Sequence, residues 1–553
     1  MRAFHFKTGT LMVVCFLAGA LLSSGQAPQA SDSESVESLR QRADHGAADA
    51  QLALGRIYFN GKKAPQDFKE AAVWFRKAAD QGVAQAQFWI GHLYLFGQGL
   101  PKDSSEAVRW YRKAADQGDA QAQFGLGSMY FTGNGVPKDF SEGVRWFRKA
   151  GDQGVVQAQL NLGNVYYFGE AAPKDYSEAA RWFRKAADQG NAQAQFWVAK
   201  LYSFGNGVPK DIGEAARWYQ KAADQGNADA QSNLALLYQK GEGVPKDLGE
   251  ATRWYRKAAD QGHQVAQIGL GLLYENGEGV PKDLSEAARW FRKAAEQGNA
   301  AAQTKVGLMY YRGEGVAKDL KEAAGWFRKA ADQGDAGGQY WLGHLYLFGE
   351  GVTKSLGDAA GWWRKAADQG DARAEQDLAL MYQHGEGMPI DFTEAARWYR
   401  KAADQGNENA QVDLGLLYMG GNGVPKDWDE AARWFRKAAD KGNATAQFNL
   451  GSLAENGQAG LAQADAAGWY RKSADQGYAY SQAALAGLYS LGHGVPQNKA
   501  LAFMWMTLAS RGMEAGSTRD ELAAKITALV AQMTPQEIAE GQRLAKEWKP
   551  SGQ

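Results

Sequence analysis

Cysteine is almost missing from this chain: of 553 residues only Cys15 carries a thiol. A disulfide framework and a cysteine-built metal site are thereby excluded. Neither sign of charge prevails, because 62 Lys and Arg stand against 62 Asp and Glu. A dedicated nucleic-acid binder would carry a basic excess. Long apolar runs are missing too, for beyond Leu11–Leu22 nothing approaches the roughly 20 apolar residues that span a bilayer. The seven histidines are scattered. No His-Glu-x-x-His, Gly-x-Ser-x-Gly, Ser-x-x-Lys or Gly-x-x-x-x-Gly-Lys-Ser/Thr occurs, which leaves metalloprotease, serine-hydrolase and phosphate-cradle chemistry without a foothold.

The first residues differ from all others. Arg2 and Lys7 precede the apolar run Leu11–Leu22, and Ser23, Ser24, Gly25, Ala27 and Ala30 follow it. This layout predicts a signal peptide over residues 1–27, cleaved near Ala27, and hence a periplasmic or secreted protein. Val14 before Cys15 departs from a lipidation site. Cleavage leaves 60 basic against 62 acidic side chains and no thiol. Residues 28–43 are polar at Ser31, Asp32, Ser33 and Glu34, which predicts a flexible lead-in.

What the chain has is a repeat. Trp recurs every 36 residues from Trp74 to Trp434, then stands at Trp469 and Trp505, making thirteen units. A fixed period of this length marks a solenoid. In residues 119–154, Ala122, Leu126, Met129 and Tyr130 form one helical stripe. Gly133 and Gly135 end that helix, and Pro137 cannot continue it. Asp139 with Glu142 starts a second helix, whose apolar set is Gly143, Val144, Trp146, Phe147 and Ala150. Asp or Asn then caps the next first helix, as at Asn191 and Asn227. The fold is therefore all-α, an α-solenoid of about thirteen 36-residue antiparallel helix pairs over residues 44–514. Small residues at positions such as Gly127 and Ala150 let helices approach closely. Residues 515–553 predict C-terminal capping helices, with starts at Ser517 and at Thr534-Pro535. Unit twelve lacks the Val-Pro-Lys-Asp loop, which predicts an irregularity near residues 455–466.

The pattern A-x-x-x-LG-x-x-Y-x-x-G-x-GV-x-x-D-x-x-EA-x-x-W-x-x-KAA-x-x-G resembles the Sel-one-like repeat family, a relative of tetratricopeptide repeats. The resemblance implies a right-handed superhelix that acts as a protein-interaction scaffold. Some cysteine-rich relatives carry a disulfide in each repeat and are labelled β-lactamases. No cysteine lies inside these repeats, so that activity is not carried over.

No catalytic, cofactor or metal constellation is legible, and the protein reads as non-enzymatic. The recurrent Asp-x-x-Glu pairs read as caps. The Arg-Lys pairs after each Trp read as a solvated face, with Asp four residues beyond each Arg as counter-charge.

What varies carries the functional expectation. Positions 22, 21, 18, 15 and 14 before each Trp lie on one face of the first helix, over an arc of about 120°. That face carries Phe88, Trp89, His92 and Phe96, then Phe124 and Phe131, then Tyr167 and Phe168, then Phe196, Trp197 and Phe204. After polar units it carries Tyr340, Trp341, His344 and Phe348. One reading packs these rings between units. The favoured one lines a concave surface with them, for a protein or peptide partner. A cell-wall glycan is the alternative partner, and a β-lactamase-like hydrolase stands further behind. No nucleic acid, and no membrane span after signal removal, belongs to either reading.

Overall fold

The computed structural model describes residues 34–550, so the expected signal peptide lies outside the described residues. Those residues form 29 α-helices and one 3-10 turn, with no strand among them. They fall into two compact units, one ending at Lys282 and one starting at Asp283. Each is a solenoid stack of helix pairs, and no described helix is long and apolar enough to cross a membrane.

Residues 119–154 show why the chain folds this way. The Asp119 side chain accepts from the Ala122 N–H at 2.8 Å and starts the helix Ala120–Thr132. Gly133, at φ 74°, ends it in the left-handed conformation. Asp139 accepts from the Glu142 N–H at 3.0 Å and starts the helix Phe140–Asp152. Gly135 does a second job: a Cβ there would strike the carbonyl of Ser104 in the preceding repeat. Close approach recurs inside each pair. A Cβ on Gly127 would meet the Phe147 ring at 2.7 Å, so the small residue before the Tyr is a seat for the ring after the Trp.

The repeat tryptophans fill the gaps between pairs. Trp182, Trp254, Trp398 and Trp434 are at most 1% exposed. Trp362 and Trp469 are only partly buried, and Trp363 fills the seat against Gly343 that Phe or Tyr holds in other repeats. The Lys three residues on lies over the indole, at 4.0 Å for Lys149 on Trp146 and 3.9 Å for Lys401 on Trp398. The neighbouring Arg does not generally take the Asp predicted as its counter-charge. It reaches a Tyr hydroxyl in the next repeat, at 2.7 Å for Arg40 to Tyr58 and 2.8 Å for Arg76 to Tyr94. The pattern breaks at two successive repeats, where Arg184 turns to Asp188 (3.0 Å) and Gln220 to Asp224 (2.9 Å), and again where Arg471 turns to Asp475 (3.1 Å).

A glutamine ladder links the pairs. Gln123 donates to the Ala115 carbonyl at 3.1 Å and accepts from Gln153 at 2.8 Å; Gln159 repeats this with Gly151 and Gln189. These amides are buried, so each must be satisfied within the protein. Two rungs are irregular. Glu375 takes the Gln place, and Lys441 donates to Gly406 O at 2.7 Å instead of reaching Gln411, whose Oε1 is left buried and without a partner among the described residues. Burial raises the Glu375 carboxyl, against the Gln405 amide donating to it at 2.7 Å. A folded-state rise means that the stability from this group is complete below its ordinary value of 4.5 and is lost as pH climbs through the folded value. Glu375→Gln restores a donor for Ala367 O, and Lys441→Gln restores one for Gln411. Each is expected to add about 1 kcal/mol at pH near 7. The Glu375→Gln gain should shrink near pH 4, and thermal melts at the two pH values check both variants.

Both ends depart from expectation in instructive ways. Within the predicted flexible lead-in, residues Val36–Asp44 form a helix that buries Leu39 and Ala43. It is a half-repeat: Leu39 stands one period before Phe75, Arg40 holds Tyr58, and Gln51 donates to Ala43 O at 2.9 Å. Ser38 in the Trp place hid it. At the other end, Ser517–Val530 and Pro535–Glu547 are the two predicted helices. Thr534 and Glu537 form the predicted capping box, whereas Gly516, not Ser517, precedes its helix without a side-chain cap. Trp548 meets Trp505 edge-on at 6.0 Å, and Gly541 lies against Phe503. Removing residues 515–553 therefore bares Phe503 and Trp505 and is expected to cause aggregation, while removing the internal repeat 191–226 leaves a folded chain. Size-exclusion chromatography and circular dichroism of the two deletions check this. The irregularity near 455–466 is present as the 3-10 turn Gln463–Asp465, and the following helix Ala466–Asp475 has 10 residues instead of 13.

Candidate functional site

The variable face of the first helices is not one surface but three layers. Where Phe stands at position 22 before the Trp in the first unit it is core, whereas Tyr340 at the same position is half-buried. Phe88, Phe124 and Phe196 are buried at 4%, 2% and 8% exposure. They pack on the aromatic residue after their own Trp: Phe88 on Tyr111 at 5.5 Å, Phe124 on Phe147 at 5.6 Å and Phe196 on Tyr219 at 6.0 Å. Phe131 is buried between Phe140 and Phe147. The predicted binding role of these four is corrected: the arc drawn from helical periodicity ran over the edge of the core.

The second layer is half-buried and recurs with one geometry. Trp89 stacks on Phe75 at 5.5 Å and 5°, Trp197 on Phe183 at 5.5 Å and 8°, and Trp341 on Phe327 at 6.0 Å and 15°. Each therefore turns one indole face onto the preceding repeat. Tyr167 and Tyr340 belong to this layer, with Tyr167 against Trp197 at 4.8 Å.

The third layer is exposed. Phe96, Phe168, Phe204 and Phe348 stand at 43%, 47%, 65% and 59% exposure, all in the last turn of their helices. Their shared register, fourteen residues before the Trp, was legible in the sequence.

The two histidines sit in matching aromatic boxes. His92 lies against Phe59, Trp89 and Phe96, and His344 against Tyr311, Trp341 and Phe348. His92 is 5% exposed and faces no partner, so it too is corrected from surface to packing. Its Nδ1 has no hydrogen-bond partner among the described residues, and burial lowers its pKa to about 4. His344 is half-buried and also lowered by burial, with Glu350 opposing. Both rings are neutral at pH 7.

Beside the second box lies a groove of about 320 Å³, lined by Tyr340, His344, Phe348, Trp363, Leu380, Asp377 and Glu386. Trp363 is fixed there by its Nε1–H donating to Tyr340 O at 3.0 Å. Burial raises Asp377 to about 6, with Asp371 adding to the rise, while the Tyr340 hydroxyl hydrogen bond and Arg373 oppose it. The Arg373 guanidinium lies 4.2 Å over the Tyr340 ring and pairs with Asp371 at 2.6 Å. One repeat on, Asp413 is also raised to about 6 by burial, with His384 opposing. The prediction missed these acids. Their signal was Asp at position 21 before the Trp in two successive repeats, where the aromatic units carry Trp. Among the described residues no cluster of three or more His, Cys, Asp or Glu could hold a metal ion.

Comparison with known proteins agrees with this architecture. The Sel1 repeat model matches thirteen consecutive segments from residue 48 to residue 512. Among solved structures, c5321, a protective antigen present in uropathogenic Escherichia coli strains and displaying an SLR fold, is 32% identical. The match covers 93% of this chain and 94% of that one, with a TM-score of 0.54. A Sel1 repeat protein from Oxalobacter formigenes is 36% identical over 59% of this chain and 99% of that one, with a TM-score of 0.46. Comparison with curated proteins returns no match.

Proposed function

The chain belongs to the Sel1 repeat family, and from that premise we propose that it is an exported, non-enzymatic scaffold that binds a protein segment on the variable face. The observation that carries this reading is the recurrence of a large exposed ring at one register of the repeat, at Phe96, Phe168 and Phe204 in the first unit and at Phe348 in the second. Apolar rings repeatedly left in water mark an interaction surface. Export rests on the layout of residues 1–27 and needs no disulfide, since packing alone holds the repeats. A peptide is favoured over a glycan by the stacking of Trp89, Trp197 and Trp341. Sugar recognition wants open flat faces, and each indole has one face closed by a phenyl ring.

The test replaces Phe96, Phe204 or Phe348 by the photo-reactive p-benzoylphenylalanine in cells. Arg217, whose side chain is 77% exposed on a second helix, serves as control. Protein adducts at the three Phe positions and none at Arg217 are the expected result. Equal labelling at all four, or none, would sink the reading.

A further inference from the structure

We propose that the groove beside Tyr340 is a subsite for one cationic side chain, a lysine or arginine, of the bound protein segment; this rests on the scaffold reading above. Three observations converge. The first is size. A space of about 320 Å³ lies at the small end of ligand sites and holds one long side chain with its neighbouring backbone.

The second is the wall. Tyr340, His344, Phe348 and Trp363 line the groove, and aromatic faces attract cations. The protein already demonstrates this there, since Arg373 lies 4.2 Å over the Tyr340 ring. That arginine is satisfied by Asp371 at 2.6 Å and neutralises no other carboxylate at ion-pair distance among the described residues.

The third is charge. Asp377 and Glu386 line the groove, and neither has an ion-pair partner among the described residues. His344 adds no positive charge, because burial keeps its ring neutral. A phosphorylated segment or a free C-terminal carboxylate would face like charge, offset only in part by Arg373, which is already paired with Asp371. An ammonium or guanidinium group meets carboxylates and ring faces together. Stem methylenes of such a side chain find apolar surface at Leu380, as long charged side chains require.

The experiment selects peptides from a displayed random library against the full chain and then measures the enriched peptide by fluorescence anisotropy. Enriched sequences are expected to carry Lys or Arg beside apolar residues. Acetylating the peptide lysine, or replacing its arginine by citrulline, should weaken binding at least about tenfold, as should the Asp377→Asn/Glu386→Gln pair. Raising salt with the unaltered chain should weaken it also, which keeps the test valid if the double variant fails to fold. Enriched peptides without a basic residue, or binding indifferent to charge on either side, would overturn the subsite. So would full competition by arginine amide alone, which would make the groove a small-amine site. Peptides that lose affinity on Phe348→Ser yet ignore the charge changes would leave the scaffold reading standing and remove only this inference. No enrichment at all would remove both.

Discussion

Replacing Trp398 by Ala is expected to cost about 3–5 kcal/mol, the range for an emptied aromatic core site. The indole is 1% exposed, lies among Tyr399, Trp434 and the alanines of its cluster, and is covered by the Lys401 ammonium at 3.9 Å. The same change graded outward measures the three layers of the face. Trp197→Ala, half-buried and stacked on Phe183, should cost about 1–3 kcal/mol. Phe204→Ala, 65% exposed, should stay within about 0.5 kcal/mol. Urea melts of the three variants give the order directly. A Phe204 effect as large as that of Trp398 would place this ring in the core and deprive the proposed binding surface of its main observation.

The second large effect belongs to a residue with no side chain. Gly135→Ala should cost about 3 kcal/mol or more, because two penalties add. Its φ of 73° disfavours any L-residue, and the new Cβ would meet the Ser104 carbonyl of the preceding repeat. Gly133, two residues earlier at φ 74°, makes the control. A Cβ there comes no closer than 3.2 Å, to Lys138 Cβ, and strikes no backbone atom of the neighbouring repeat, so Gly133→Ala should cost about 1 kcal/mol, mostly the conformational part. Similar losses for the two would mean that the loop does not press on its neighbour.

Much of this was legible in the chain. The 36-residue period fixed the pair count, Asp139 and Asn191 marked helix starts, and Gly127 marked a close approach. Those features act within one repeat, where periodicity is a sufficient guide. What escaped acts between repeats. The Arg76–Tyr94 bond joins residues 18 apart on different helices, so helical spacing pointed instead to an Asp four residues on. Buried Gln123 reads as surface until its two partners are placed. The candidate site divided in the same way. Exposed Phe348 and half-buried Trp341 followed from the face, whereas Phe88 and Phe124 sat where the arc meets the core. Asp377 was visible as a residue but not as the wall of a groove, since Tyr340 and Trp363 come to it from the preceding repeat.

The glutamine ladder bears on how such a chain can change in length over generations. Each regular rung offers the same acceptor forward and the same donor backward, as Gln123 and Gln159 do. A copy of one repeat, slipped in by unequal recombination between identical tracts, meets complementary amides on both sides and leaves none orphaned. Loss of a repeat closes the gap equally well. Glu375 and Lys441 are the places where this interchangeability fails, for a copy carrying either one would write a second flawed rung into the stack. Copy number can thus drift freely through the regular repeats, while these two hold their neighbours as a fixed address in the array.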